Sequence, residues 1–142
     1  EGGRFGVGSD SNVLIDAAEE LRLLEYGQRL GLRGRNVLAP DARRSSGRFL
    51  FEGALHGGAQ ALGVAAGLQV GASADLLELD AAHPALQARQ NDAWLDSWVF
   101  AARNGALRSV WRHGRQVVAD GRHLQREAIT TAFAAALRGV LG

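Results

Sequence analysis

A short apolar stretch near the start, Phe5-Gly6-Val7-Gly8, runs into the polar Ser9-Asp10-Ser11-Asn12 and then into a helical pattern. Strand, polar turn and helix in that order read as a β/α unit. This constrains the fold more than any other feature, because such a strand needs parallel neighbours and its carboxyl end is where barrels and doubly wound sheets place their chemistry. Gly6 and Gly8 let backbone approach closely, and the small residues around Asp10 leave its carboxylate room to reach a ligand. Asp10 is therefore the candidate functional residue, although a Gly-Ser-Asp-Ser taken alone is better explained as an ordinary turn before a helix.

The helix after this turn is bounded by its own chemistry. Asp16 followed by Glu19 is a capping-box pattern that starts it near Ala17, and Gly31 supplies a stop after Leu30. Leu21, Leu24 and Gln28 with Ala17 and Ala18 form its buried stripe, and Glu25 and Arg29 stand four apart. Residues 31–46 are loop-like, broken by Gly34 and Pro40, with Asn36-Val37-Leu38 as a short apolar contact. A second helix is predicted over Gly47–Leu62, ended by Gly63, with a face of Gly53, Ala54, Gly57, Gly58 and Ala61 that allows very close packing against another element. His56 within it reads as a histidine that packs or supports a site residue from behind, since no second ligand stands at a metal-like spacing.

From Gly67 the period changes to two short β segments, Leu68 with Val70 and then Ala74–Asp80, closed by His83-Pro84. A helical period returns over Asn91–Arg103, with Trp94, Leu95, Trp98, Val99 and Ala102 on one side, and Asn104-Gly105 signals a turn. Leu107–Arg112 and Gln116–Ala119 read as a hairpin across His113-Gly114, closed by Asp120-Gly121, with His113 and His123 as exposed turn residues. Glu127–Leu141 reads as a last helix with Ile129, Phe133, Leu137, Val140 and Leu141 on its stripe.

Composition narrows the class. With 46% hydrophobic residues in 142, the chain can bury one core, and its net charge of +1 gives no reason to expect nucleic acid as a partner. The basic run Arg33, Arg35, Arg43, Arg44 and Arg48 falls in a connection where arginines are solvated or paired. The absence of cysteine excludes disulfides and thiolate metal sites and fits a reducing compartment. No apolar run reaches the roughly twenty residues of a membrane span, and no signal peptide is evident, so a soluble, cytoplasmic protein without a membrane partner is expected. Glu1 in place of methionine, directly before a buried-type strand, reads as a fragment of a longer protein.

Three blocks together carry a resemblance. They are G-V-G-S-D-S-N-V-L-I with A-E-E-L-R-L-L-E-Y-G-Q-R-L; A-L-H-G-G-A-Q-A-L-G with G-L-Q-V-G-A-S-A-D-L-L-E-L-D; and S-V-W-R-H-G-R-Q-V-V-A-D-G-R-H. The second and third resemble the closing elements of the amidohydrolase superfamily. The first, with H-P-A-L at His83–Leu86 and the tail through Ile129 and Phe133, resembles the formimidoylglutamate deiminases, from the eighth barrel strand onward.

The resemblance implies an α/β fold: the C-terminal end of a TIM (β/α)8 barrel in residues 1–62, a small β-sandwich-type domain in 63–124 and a closing helix in 125–142. It implies a site for one zinc ion, with Asp10 as both metal ligand and proton carrier and Ser9 and Ser11 as weak supporting hydroxyls. The implied substrate is N-formimino-L-glutamate, hydrolysed to N-formyl-L-glutamate and ammonia in histidine degradation, with a homodimer suggested for the complete enzyme. The family's His-x-His pair, its later histidine, its catalytic histidine and glutamate and its substrate-holding groups have no match here, so His56, His83, His113 and His123 inherit no role and this chain alone is expected to be inactive. A guanine or cytosine deaminase-like aminohydrolase and a non-catalytic α+β structural module remain as alternatives, since fold resemblance does not by itself establish activity.

Overall fold

A computed structural model describes residues 3–39, 41, 45–102 and 105–142. Its described residues form a mixed α/β structure: helices α1 (Ala17–Leu32), α2 (Ser46–Leu62), α3 (Ala93–Phe100) and α4 (Arg126–Leu141), and strands β1 (Leu76–Leu79), β2 (Leu107–Arg112), β3 (Arg115–Ala119) and β4 (Arg122–His123). No described helix is long and apolar enough to cross a membrane.

The start of α1 follows the sequence pattern in part. Asp16 in extended conformation accepts from the Ala18 N–H at 2.9 Å, satisfying one orphan donor of the first turn. Glu19 does not complete the box but pairs with Arg22 at 2.8 Å. Gly31 does not stop the helix, which runs to Leu32 and closes on Arg33 in the left-handed region (φ +53°), where Arg33 and Gly34 donate back to the Arg29 carbonyl. The stop is thus made by hydrogen bonds that a non-glycine residue tolerates.

At its N-terminus α2 is capped twice. Ser45 Oγ accepts from Arg48 N–H at 2.9 Å, while Asp96 of α3 accepts from Ser45 Oγ at 2.9 Å and from Gly47 N–H at 2.8 Å. The two helices meet so closely that a Cβ on Gly47 would lie 2.5 Å from the Leu95 carbonyl carbon. Arg22 of α1 donates to the Val99 and Ala102 carbonyls at 2.7 and 2.8 Å, satisfying acceptors at the end of α3. Around these joints lies the core: Leu21, Leu50, Leu86 and Val99 are fully buried, joined by Ala18, Trp98, Ala102 and Ala106. Aromatic contacts close its rim, Phe51 edge-on to Trp98 and Tyr26 stacked on Phe100 with the Arg29 guanidinium over both rings.

The strands make one antiparallel sheet in the order β1-β2-β3-β4. Both expected tight turns are present. His113-Gly114 (φ +50° and +73°) and Asp120-Gly121 (φ +47° and +72°) have positive φ at both central positions, the geometry that matches the twist of paired strands.

Several expectations fail. Phe5–Gly8 is not a hydrogen-bonded strand, and no described strands pair in parallel. Leu68 and Val70 sit in a turn and are exposed, so the first of the two β segments is absent. The stripe of α4 exists as a pattern but is not buried: Ile129, Phe133, Leu137, Val140 and Leu141 are all exposed. His56 is exposed rather than packed, and Gln28 is exposed too. The predicted turn at Asn104 and the arginines 43 and 44 lie outside the described residues, whereas Arg48 pairs with Asp92 and Glu52, as a solvated run should.

Candidate functional site

The segment leading to Asp10 is positioned by α2 rather than by a sheet. Its backbone lies across the small-residue face: a Cβ on Gly57 would fall 1.9 Å from the Phe5 carbonyl oxygen, one on Gly53 would fall 2.6 Å from the Phe5 ring, and one on Gly6 would fall 3.3 Å from the Gly58 Cα. The glycines of α2 therefore have a purpose, which is to seat this segment. Arg4 adds a hydrogen bond to Gln60 at 2.7 Å.

Beyond the seat the chain turns sharply. Asn12 N–H donates to the Ser9 carbonyl at 2.6 Å, and Asp10 occupies the first central position of that turn with φ +37°, a conformation Asp adopts more readily than most residues. Asn12 Nδ2 then donates to Glu20 at 2.6 Å, tying the turn to the first turns of α1. Residues 13–16 follow, with Val13 and Ile15 almost wholly exposed, before Asp16 caps the helix. The turn is anchored at both ends, by α2 and by α1.

On that turn the Asp10 carboxylate is exposed and makes no hydrogen bond or ion pair among the described residues, and Ser9 and Ser11 do not hold it. The donor set fits zinc only in part. An unpartnered carboxylate can supply one ligand, but a zinc site takes three or four, and no group of three histidine, aspartate or glutamate side chains comes together among the described residues. None of the four histidines hydrogen-bonds or ion-pairs with Asp10 among the described residues: His83 accepts from Ala85 N–H, His113 meets Ser73, His123 accepts from Gln125 N–H, and His56 borders cavities beside α2.

What residue-by-residue reading misses is Glu25. It is fully buried, and its carboxylate accepts from Arg29 Nε at 2.6 Å and from the Val37 and Leu38 N–H groups at 3.0 Å each. Burial pushes this carboxyl up, but the hydrogen bonds from Arg29, Leu38 and Val37 and the arginine's charge outweigh it and hold the group below the ordinary carboxylate range. It clamps the loop after α1 back onto that helix. The signal was the Glu25/Arg29 spacing together with the apolar Val37-Leu38 in an otherwise polar loop.

Comparison with known proteins places this geometry. No protein-family model matches the chain. Over 99% of its length the chain is 49% identical to the formimidoylglutamate deiminase of Pseudomonas aeruginosa, of which it spans 31%. A crystal structure of an amidohydrolase from Brucella melitensis superposes with a TM-score of 0.89 at 47% identity, covering 99% of this chain and 31% of that one. An adenosine deaminase from Xanthomonas campestris, solved with bound zinc, superposes with a TM-score of 0.72 at 23% identity over 93% of this chain and 29% of its own, a likeness of fold alone. By sequence, the chain corresponds over nearly all its length to a C-terminal portion of formimidoylglutamate deiminase.

Proposed function

We propose that the chain is the C-terminal part of a hydrolase that removes ammonia from N-formimino-L-glutamate, and that Asp10 is its contribution to a zinc site completed by residues outside it. The observation that carries this reading is the Asp10 turn: an exposed carboxylate with no partner among the described residues, held in place from both sides, in a sequence 49% identical to a deiminase. The backbone of Phe5–Gly8 supports it. These residues make no backbone hydrogen bonds among the described residues, which leaves their N–H and C=O groups available to strands outside this chain. In this reading residues 1–62 are the last strand and helices of a barrel, 63–124 a small β domain and 125–142 the closing helix, within a cytoplasmic, homodimeric enzyme.

Deimination adds water to the formimino carbon, breaks the bond to the terminal nitrogen and releases ammonia, leaving the formyl group on glutamate. Zinc, when bound, supplies a Lewis acid that lowers the pKa of the attacking water toward neutrality. Asp10 takes up that proton on a carboxylate oxygen and returns it to the departing nitrogen. The test is ammonia release by the complete enzyme from N-formimino-L-glutamate, guanine and cytosine in parallel, with zinc analysis. Turnover of the first with stoichiometric zinc is expected; turnover confined to a nucleobase, or undiminished after chelation, overturns the reading.

A further inference from the structure

We propose that the pocket at the β2–β3 turn is a binding site for a small doubly charged oxyanion, independent of Asp10 and of the deiminase reading. The pocket, about 480 Å³, is bordered by Arg112, His113, Arg115, Gln116, His123 and Gln125, and no carboxylate lines it. That volume is within the range of small-ligand sites. Its polar lining is dominated by donors.

One feature distinguishes this arrangement from scattered surface arginines. Arg112 and Arg115 stand directly opposite each other in the β2–β3 register, and like charges so placed across antiparallel strands destabilise the sheet. Neither guanidinium makes a hydrogen bond or ion pair among the described residues that would offset this; Arg33, Arg35, Arg89, Arg126 and Arg138 are unpaired as well, but none of them stands opposite a second arginine in the sheet. Asp75, the acid bonded to His113, lies outside the pocket lining and is already engaged. It accepts from the His113 N–H at 2.8 Å, and the Ser73 hydroxyl, that N–H and the charge of Arg112 hold it below its ordinary range.

One imidazole, that of His123, adds to this preference. His123 Nδ1 accepts from the Gln125 N–H at 3.1 Å, which leaves the proton on Nε2 as a donor. His113 is fixed through Nδ1 to Ser73 Oγ at 2.8 Å. A dianion placed between the two guanidinium groups would relieve their repulsion and receive charge-assisted hydrogen bonds from both. Phosphate and a short dicarboxylate share that chemistry.

Calorimetric titration of the full chain with inorganic phosphate and, separately, with glutarate distinguishes the two. Saturable binding of at least one, with a Kd below about 1 mM at low salt and weakening as salt rises, is expected. Arg112→Gln and Arg115→Gln should each weaken it about tenfold or more, since each removes one charge-assisted partner. Arg115→Gln should also raise the thermal midpoint without ligand by relieving the repulsion, which a folding defect would not do. Arg138→Gln, an equal change of net charge on α4, should leave the affinity unchanged. Absence of saturation by about 10 mM for both anions, unchanged affinity in Arg115→Gln, or an equal loss in Arg138→Gln overturns the proposal.

Discussion

Helices α1 to α3 and the region formed by the sheet with α4 are built on opposite terms. Among the helices, apolar stripes meet: Leu21, Leu50, Trp98 and Val99 converge, and buried polar atoms such as the Glu25 carboxylate and the Val99 and Ala102 carbonyls are paired across elements. In the sheet the stripes are only partly covered, Leu79 reaching the core, and in α4 they are bare. Leu76 and Leu77 of β1 are more than a third exposed, and α4 has no buried residue at all. The same residue types thus contribute very differently, because apolar area stabilises only when it leaves water.

The sharpest way to break that contrast is Leu50→Ala, which should cost about 3 kcal/mol because its fully buried side chain leaves a cavity among three helices. Urea unfolding of the chain measures it, and a cost below about 1 kcal/mol would mean that the helices do not form a close-packed core.

Glu25→Gln comes next, at about 2–3 kcal/mol, since it strips the charge from a buried acceptor of three hydrogen bonds. The sign with pH follows from a folded-state pKa below the unfolded one. The stabilisation is complete above the unfolded carboxyl's titration near about 4.3 and is lost as the pH falls through the lowered folded value. Comparing urea midpoints of the two proteins against pH should show the gap closing only in acid. A gap that is constant with pH would deny Glu25 its charged role.

Gly57→Ala should cost about 1–3 kcal/mol and release the Phe5 segment, because the new methyl meets the Phe5 carbonyl. Faster amide exchange at Asn12, whose N–H is bonded in the turn beyond the seat, is the readout. The smallest effect belongs to Phe133→Ala on α4, within about 0.5 kcal/mol, because a side chain 65% exposed has little burial to lose. A cost comparable to that of Leu50→Ala would show that α4 is covered in solution.

These contrasts also explain what was legible from residues alone. α2, the β2–β3 hairpin and the Asp16 cap were readable because their signals are local: Ser/Gly boundaries, paired positive-φ turns and a carboxylate two residues before its donor. The polar turn at Asp10 was readable too. The strand before it was not, because Val7 and Phe5 alternate with glycine whether the segment pairs in a sheet or lies on a helix, and only its neighbours decide. Periodicity located the α4 stripe but could not say whether anything covers it. The same limit applies to His56, whose burial depends on what faces α2. Glu25 escaped because its partners lie in a loop 12 and 13 residues away, which spacing rules for helices do not reach.

The central claim is that the Asp10 carboxylate carries a proton in a site this chain only helps to build. Steady-state deiminase kinetics with zinc analysis on Asp10→Asn, Asp10→Ala and Ser9→Ala in the complete enzyme test it most directly. Asp10→Asn keeps the shape and one oxygen donor but cannot accept the proton, so kcat should fall by about a hundred- to ten-thousandfold even where zinc is retained. Asp10→Ala should lose zinc as well, and Ser9→Ala should be milder than either. Retention of more than about a tenth of the wild-type kcat by Asp10→Asn would contradict the account and return Asp10 to an ordinary turn before α1.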